Sequence, residues 1–301
     1  MDTDPKISVI MPTYNMAHMI KRAIDSILGQ SFQDFEIIVV NDGSTDNTEG
    51  LIKDLALRDP RIKLVNQAHS GKPAVATNTG IRNSNGKYIA ILDSDDEWLP
   101  TKLEKQLKLI GSRPGLGFVA CHTILVYPGH SKEQLLPRTK SLVEALLIKC
   151  YLYPSSMLAK REALYSIGLI DENYWVSCDW GMFMEMAKKY DYDFVDEILY
   201  KYYVHDTNHS YRKNYAQRVH DREYFLHNNA DLYKDHPKLL EYQYITLASD
   251  LMSKGEPKKA RYYFRKSVEL NRSFNNVARL AISYLGKTAY QKYRTGRGHI
   301  V

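Results

Sequence analysis

The chain has 301 residues, 44% hydrophobic and 25% charged, a balance typical of a water-soluble globular protein with one large domain or two modest ones. No apolar run approaches the roughly 18 residues of a membrane span, and the start "MDTDPKISVI" does not resemble a signal peptide. The three cysteines, Cys121, Cys150 and Cys178, are widely spaced and form no zinc or redox motif, so we expect a reducing cytoplasm. The net charge of +6 gathers late in the chain, which suggests a solvated helix surface or, as the alternative, a contact with anionic lipid.

Strands and helices are predicted to alternate over the first hundred residues. The continuous apolar runs at 6–15, 35–41, 61–67 and 87–93 predict four buried strands. Helical spacing of apolar residues predicts helices at 19–30, at 72–86, and after Asp46, which we expect to be an N-cap with Glu49 three residues on. Buried strands separated by helices are typical of a parallel sheet that is covered on both faces.

The next hundred residues are less regular. We expect a helix with Pro100 near its first position, a strand at 117–129, a helix that begins near 141, a helix at 179–190 and a last strand at 194–205. Beyond about residue 212 the pattern predicts helices only. Part of it resembles a tetratricopeptide-type hairpin, with Ala260, Phe264 and Val268 on one stripe and Leu280 and Tyr284 on another. We therefore predict a catalytic domain at 1–212 and a helical extension at 213–301.

Polar residues follow three of the predicted parallel strands. They are Pro12-Thr13-Tyr14-Asn15, Asn41-Asp42-Gly43-Ser44 and Asp93-Ser94-Asp95-Asp96. Ligands of open parallel sheets bind beyond these strand ends. The chain has neither a G-x-G-x-x-G motif after the first strand nor a P-loop, so a divalent cation on clustered carboxylates is the expected phosphate-binding device, with Mg²⁺ or Mn²⁺ fitting oxygen ligands. A turn in which Asp95 or Asp96 caps the next helix is the structural alternative.

Four ordered blocks of the sequence are "SVIMPTYN", "IIVVNDGSTDNT", "ATNTGIRNSNGKYIAILDSDD" and "IGLIDENYWVSCDW". Together they resemble family 2 glycosyltransferases with the GT-A fold, and the resemblance covers residues 7 to about 210. It implies an α/β fold, a Rossmann-like and mostly parallel sheet with helices on both faces, to which the helical extension is added. It says less about which sugar is transferred.

The resemblance also implies roles for individual residues. Asp42 would accept hydrogen bonds from the base, usually uracil, and Asp93 would bind the ribose side, with Asp95 as a ligand of the metal that bridges the diphosphate. The other implied contacts of the nucleotide or sugar-diphosphate are Pro12, Thr13, Asn15, Asn78 and Ser94.

The catalytic base and a further metal ligand are expected late in the domain. Asp179 in "CDWGMFMEMA" occupies the family's position for the base, although a helix cap is the structural alternative. The family usually has an acidic residue before it, more often an acceptor contact than the base, and Cys178 stands there instead. In "YYVHDTNHS" the similarity favours His205 over His209 as a metal ligand or phosphate contact.

The leading hypothesis is an inverting, metal-dependent enzyme that transfers a hexosyl or N-acetylhexosaminyl group from a UDP-sugar. The expected acceptor is a saccharide or lipid-linked hydroxyl in surface polysaccharide synthesis, and the expected place is the cytoplasm or the inner face of the membrane. The alternative is a non-catalytic scaffold with the same fold and a helical interaction tail. A sugar nucleotidyltransferase would need a glycine-rich basic loop after the first strand. The segment "PTYNMAH" at this place is not such a loop, which disfavours this class of enzyme. No nucleic-acid partner is expected.

Overall fold

A computed structural model describes residues 4–206 and 215–295 of the chain. Within these ranges the strands are β1 Ile7–Thr13, β2 Phe35–Asn41, β3 Ile62–Asn66, β4 Tyr88–Ile91, β5 Glu97–Trp98, β6 Leu116–Tyr127, β7 His130–Gln134, β8 Leu158–Lys160 and β9 Asp191–Tyr203. The helices are α1 Ile20–Leu28, α2 Thr48–Arg58, α3 Pro73–Arg82, α4 Lys102–Ser112, α5 Leu142–Ile148, α6 Arg161–Ser166, α7 Cys178–Ala187, α8 Tyr215–Asn228, α9 Ala230–Asp235, α10 Pro237–Ser253, α11 Pro257–Leu270, α12 Phe274–Ser283 and α13 Lys287–Thr295.

The described chain divides into two compact units. One comprises Met1–Leu146 with Cys150–Asp221, and the other Leu147–Lys149 with Arg222–Val301. The predicted division at 212 lies outside the described residues and stays a prediction. Among the described residues, no helix combines the length and the apolar character that crossing a bilayer would require.

The strands of the first unit form one mixed sheet in the order β3-β2-β1-β4-β8-β6-β9-β5, with β7 paired to β6. Strands β1 to β4 are parallel, as the apolar runs predict, whereas β8 runs antiparallel to both β4 and β6. The side chains of Ile7, Val9 and Met11 lie in a core with Ile24 of α1 and Leu103 of α4. Both faces of the parallel strands are therefore buried, which accounts for their continuous apolar sequence.

Helix α3 lies close to the opposite face of the sheet. A Cβ atom built on Gly80 of this helix would lie 2.3 Å from Cγ2 of Ile10 and 3.2 Å from Cγ2 of Val40. The absence of a side chain at Gly80 lets the helix approach the strands this closely, and this approach places the start of α3 near the ends of β1 and β2.

One local expectation was wrong. Helix α2 begins at Thr48 with Asn47 as its N-cap residue, one residue later than predicted, although the Asp46 carboxylate accepts hydrogen bonds from the backbone N–H and the hydroxyl of Thr48. Helix α4 begins at Lys102, so Pro100 lies two residues before the first helical position, close to where it was predicted. Tyr284, predicted on a stripe with Leu280, follows α12 and is 54% exposed.

Short strands in the middle of the chain were missed. Strands β5, β7 and β8 have two, five and three residues, and β7 is polar and almost wholly exposed. None of them has a long apolar run or a clear alternation of apolar and polar residues. Strands β5 and β8 form by pairing with strands that are distant in sequence, and β7 forms by pairing with β6 across a hairpin turn.

Two glycines provide a test of packing at the sheet. A Cβ atom on Gly86 would lie 2.4 Å from the backbone nitrogen of Ser8 and 2.7 Å from the carbonyl carbon of Ile7, whereas one on Gly111, exposed in α4, would meet nothing within 4 Å. We expect Gly86→Ala to lower the free energy of unfolding by about 2–3 kcal/mol, because the backbone of β1 must move. The control Gly111→Ala should raise it by about 0.5 kcal/mol through helix propensity. Urea denaturation of both variants measures this, and an equal effect of the two substitutions would contradict the packing.

Candidate active site

The polar ends of β1, β2 and β4 lie side by side, as the parallel order predicts. Thr13 pairs in register with Asn41, and the backbone N–H of Leu92, after β4, donates to the carbonyl of Ile10 in β1. Pro12 pairs with Val40 in the same ladder. Parallel strands end at one rim, so this rim holds the residues that the family resemblance implicates.

The end of β1 is held by Asn15. This residue has φ of 54°, a left-handed conformation that asparagine tolerates better than most residues. Its side-chain Oδ1 accepts hydrogen bonds from the backbone N–H groups of Thr45 (2.7 Å) and Asp46 (3.3 Å). Asn15 therefore joins the loops after β1 and β2. Beside it, the buried Thr13 hydroxyl has no hydrogen-bond partner within the described part of the chain.

Asp42 anchors the segment at 67–71. Its carboxylate, in a residue 5% exposed, accepts hydrogen bonds from Gln67 Nε2 (2.5 Å) and from the backbone N–H groups of Ser70 (3.0 Å) and Gly71 (3.3 Å). The neighbouring Gly43 has φ of 72°, and a Cβ there would lie 2.8 Å from the backbone nitrogen of His69. That Asp42 binds the nucleobase stays a prediction. In this structure its carboxylate already accepts hydrogen bonds from groups of the protein.

An aromatic pair lies next to this anchor. The rings of Tyr14 and His69 stack with centroids 4.0 Å apart and an interplanar angle of 20°, and Nδ1 of His69 lies 3.0 Å from Oδ2 of Asp42. Tyr14 is 39% exposed. The rim therefore presents a flat ring surface beside a buried carboxylate, which is a suitable surface for a nucleobase.

Three aspartates crowd the segment after β4. The pKa of Asp93 is raised to about 7, first by burial and then by the charge of Asp95. The pKa of Asp96 is raised well above its usual range by the same two causes, in the same order, with a smaller contribution from Asp93. Ser94 between them is 5% exposed. A positive group would relieve this crowding.

Strand β9 supports the aspartate segment from behind. Asp96 is fully buried and accepts hydrogen bonds from the Tyr200 hydroxyl and from the backbone N–H of Tyr203 (2.9 Å). The guanidinium of Arg22 lies 3.6 Å from the centre of the Tyr203 ring and donates to the backbone carbonyl of Asp95. Asp96 is thus bound to β9 and does not cap α4, so the turn-and-cap alternative does not describe it.

His205 comes close to Asp95 because it follows β9. Its Nε2 lies 3.1 Å from Oδ2 of Asp95, and both side chains are mostly buried. Within the described residues no group of three or more metal-binding side chains occurs, and His209 lies outside those residues. An imidazole and a carboxylate at this distance suit Mn²⁺ or Mg²⁺ as a partial ligand set, whose remaining positions phosphate oxygens and water would fill.

Asn78 joins helix α3 to the loop at 170–172. Its side chain donates to the carbonyl of Ile170 and to Oε1 of Glu172, both at 2.8 Å, and accepts from the backbone N–H of Ile170 at 3.0 Å. Lys72 reaches the same loop, with Nζ 2.8 Å from the carbonyl of Glu172 and 4.3 Å from the centre of the Trp175 ring. A contact of Asn78 with the sugar-diphosphate stays a prediction, and its present contacts are structural.

Asp179 lies in the first turn of α7 at the end of this loop, partly exposed. Its Oδ1 accepts a hydrogen bond from the backbone N–H of Trp180 at 2.9 Å. Burial, and to a lesser extent the charge of Asp221, raises the pKa of Asp179 to about 6 in spite of hydrogen bonds that lower it. A carboxylate with such a pKa is ionised at neutral pH and basic enough to accept a proton.

Asp221 orders the loop that leads to Asp179. Its buried carboxylate accepts hydrogen bonds from three consecutive backbone N–H groups, those of Trp175 (2.9 Å), Val176 (2.7 Å) and Ser177 (2.8 Å). Trp175 is held there with 37% of its surface exposed. The loop is thus preorganised, with an aromatic ring in contact with solvent shortly before Asp179.

Sequence reasoning missed the residues that support the site. These are Arg22, Lys72, Trp175, Tyr200, Tyr203 and Asp221, together with Ser155, whose hydroxyl accepts a hydrogen bond from the backbone N–H of Asp93 at 3.1 Å. The repeated tyrosines of β9 were visible as a cluster, but their contact with Asp96 required knowing that β9 passes behind the aspartate segment. Asp221 had no sequence pattern that would have pointed to it.

Known proteins resemble this chain in sequence and in fold. The model of the family "Glycosyl transferase family 2" matches residues 8–168. An uncharacterized glycosyltransferase of Rickettsia bellii is 45% identical over 120 residues, which cover 40% of this chain and 17% of that protein. The UDP-Glc:alpha-D-GlcNAc-diphosphoundecaprenol beta-1,3-glucosyltransferase WfgD of Escherichia coli is 41% identical over 107 residues, 36% of this chain and 42% of that protein.

A solved structure extends the likeness over nearly the whole chain. The structure of S. aureus TarS 1-349 in complex with UDP-GlcNAc has a TM-score of 0.66 at 18% identity, and the superposition covers 97% of this chain and 92% of that one. At this identity the likeness concerns the fold alone, and it agrees with the predicted GT-A architecture followed by helices. Since the family model covers more than half of the chain, the protein belongs to glycosyl transferase family 2.

Proposed function

We propose that the protein is an inverting, metal-dependent glycosyltransferase that moves a hexosyl or N-acetylhexosaminyl group from a UDP-sugar to a hydroxyl of a saccharide or lipid-linked acceptor. The observation that carries the proposal is the approach of Asp95 and His205, whose Oδ2 and Nε2 atoms lie 3.1 Å apart at the carboxyl end of a parallel sheet. Family membership supports sugar transfer, and the residues of the rim support the details.

The donor side is assigned to the ends of β1, β2 and β4. Tyr14 offers a ring face to the base, Asp42 with the 67–71 segment borders it, and Asp93 with Ser94 takes the ribose side. The names of two similar proteins, one a glucosyltransferase of UDP-Glc and the other crystallised with UDP-GlcNAc, support a UDP-sugar. A cation held by Asp95 and His205 would neutralise the charge that develops on the leaving diphosphate.

Asp179 is proposed as the base. An acceptor hydroxyl attacks the anomeric carbon from the face opposite the leaving diphosphate, the bond from this carbon to the phosphate oxygen breaks, and Asp179 takes the hydroxyl proton. A single displacement inverts the anomeric configuration. The ring of Trp175, held by Asp221, provides a flat apolar surface for a sugar of the acceptor.

The acceptor class and the cellular place are inferred from a similar protein and from the cysteines. WfgD carries the name of a diphosphoundecaprenol acceptor, which supports a lipid-linked acceptor and a role in surface polysaccharide synthesis. The chain covers less than half of either relative, so the acceptor is part of the proposal. All three cysteines are free, which fits the reducing cytoplasm where we place the reaction.

The first test is donor turnover. The protein is incubated with Mn²⁺ and a panel of UDP-sugars, with and without a saccharide acceptor, and released UDP is measured. We expect UDP from at least one donor and its loss on addition of EDTA. If no donor yields UDP, and UDP itself shows no metal-dependent affinity, the protein is a scaffold of the same fold.

The second test concerns the metal ligands. Asp95→Asn and His205→Ala should each lower the affinity for UDP in Mn²⁺ by about tenfold or more while leaving the metal-free affinity unchanged, because each removes one ligand. Asp25→Asn, which removes an exposed carboxylate paired with Lys21 on α1, is the matched control. Calorimetric titration with UDP, in Mn²⁺ and in EDTA, measures both affinities. Equal Mn²⁺ dependence in wild type and variants would refute the assigned ligands.

The third test is the pH dependence of transfer. Because the pKa of Asp179 is raised to about 6, the base is protonated below this pH, so the rate should rise as the pH passes through about 6 and then level off. Asp179→Asn should lower transfer by about 10²-fold or more and leave UDP binding intact. The control Asp171→Asn, in the preceding loop, should keep both the rate and the profile. Loss of UDP binding in Asp179→Asn would indicate a structural role instead.

A further inference from the structure

Helix α12 buries two polar residues and exposes several apolar ones. Its fully buried residues are Asn276 and Ser283, and the Asn276 side chain donates to Oε1 of Glu241 (2.7 Å) and to the carbonyl of Asn271 (2.8 Å). Ala278, Leu280 and Ile282 are partly buried, whereas the apolar residues at 274, 277 and 281 are exposed. Helices on a protein surface ordinarily bury their largest apolar residues, so the exposure of Phe274 departs from the usual arrangement.

The outward residues form one continuous stripe. At 100° per residue, the positions 274, 277, 281, 284 and 285 fall on the same side of the helix and the turn that follows. Phe274 is 81% exposed, Val277 43%, Tyr284 54% and Leu285 74%. We call Phe274, Val277, Ala281, Tyr284 and Leu285 the α12 stripe. Single exposed apolar residues are common, whereas a stripe that includes a phenylalanine and a leucine this exposed indicates a covering partner.

Basic residues are concentrated in the part of the chain that holds the stripe. Residues 257–295 contain ten Lys and Arg residues and one acidic residue, Glu269, a net charge of +9 against +6 for the whole chain. Two of these cations are at the edge of the stripe, since the Arg261 guanidinium lies 4.7 Å from the centre of the Tyr284 ring and Arg265 donates to the Tyr284 hydroxyl at 2.7 Å. The exposed apolar residues thus lie in a strongly basic segment, with two arginines beside them.

We propose that the α12 stripe, together with the basic residues of 257–295, docks on an anionic lipid bilayer, with Phe274 and Leu285 entering the headgroup region. A helix face of this kind lies in the interface and gains from both apolar insertion and attraction to anionic lipid. A second copy of the chain fits less well, because a symmetric contact through this face would bring the two net charges of +9 together. The proposal goes beyond sugar transfer and does not depend on it.

The test is sedimentation of the full chain with vesicles. We expect binding to vesicles of equal parts phosphatidylcholine and phosphatidylglycerol, little binding to pure phosphatidylcholine, and release by molar salt, because exposed charges are screened. The double variant Phe274→Ser with Leu285→Ser should lower the partition coefficient by about tenfold or more. Leu57→Ser, at a leucine 87% exposed on α2, is the matched control and should bind as wild type does.

A further variant separates the charge from the apolar contact. Lys258→Gln, at an exposed residue one turn before Arg261 on α11, should lower binding to the anionic vesicles by about fivefold, the share of one basic residue near a charged surface. Absence of binding to anionic vesicles, or binding that the stripe variant leaves unchanged, would overturn the proposal. So would a dimer on gel filtration that the stripe variant converts to monomer. UDP release is measured in parallel, and its loss would bear on the catalytic proposal alone.

Discussion

Three carboxylates share one short segment at the end of β4, and their mutual repulsion is the constraint around which the first unit is organised. Burial and the charge of Asp95 raise the pKa values of Asp93 and Asp96. Such a segment is stable only if other elements of the fold hold it in position. Strand β9 does so through hydrogen bonds to Asp96, and its end brings His205 beside Asp95. Strand β9 therefore both holds the aspartate segment in place and positions the second residue of the proposed metal site.

Side chains that the family resemblance assigns to ligands also hold the protein's own loops. Asp42 accepts hydrogen bonds from the segment at 67–71, and Asn78 ties α3 to the loop at 170–172. Both are almost fully buried, so each contact with the chain replaces water that the polar group has lost. A ligand that formed a hydrogen bond with Asp42 or Asn78 would therefore also affect the position of the loop that this residue holds.

The second unit differs from the first in which residues it buries. The first unit buries its apolar residues on both faces of a sheet, whereas α12 buries an asparagine and exposes a phenylalanine. The charge of the chain is divided in the same way, since the net positive charge is concentrated in residues 257–295. Composition averaged over the chain conceals this, because an excess of +6 in 301 residues is unremarkable, whereas +9 within three helices attracts anionic surfaces strongly.

By itself the sequence determined the parallel half of the sheet and the helices around it, because buried parallel strands need unbroken apolar runs such as "FEIIVV" and "YIAIL". It also determined that the polar residues after β1, β2 and β4 share one rim, since parallel neighbours end at the same edge. Only the tertiary structure decided which residues hold that rim in place. The bond from Tyr203 to Asp96, the approach of His205 to Asp95 and the three hydrogen bonds to Asp221 join positions tens of residues apart or more. The tertiary structure also decided which apolar residues of α12 are exposed. A periodic pattern shows that a helix has an apolar stripe, but it does not show which neighbour, protein or lipid, covers that stripe.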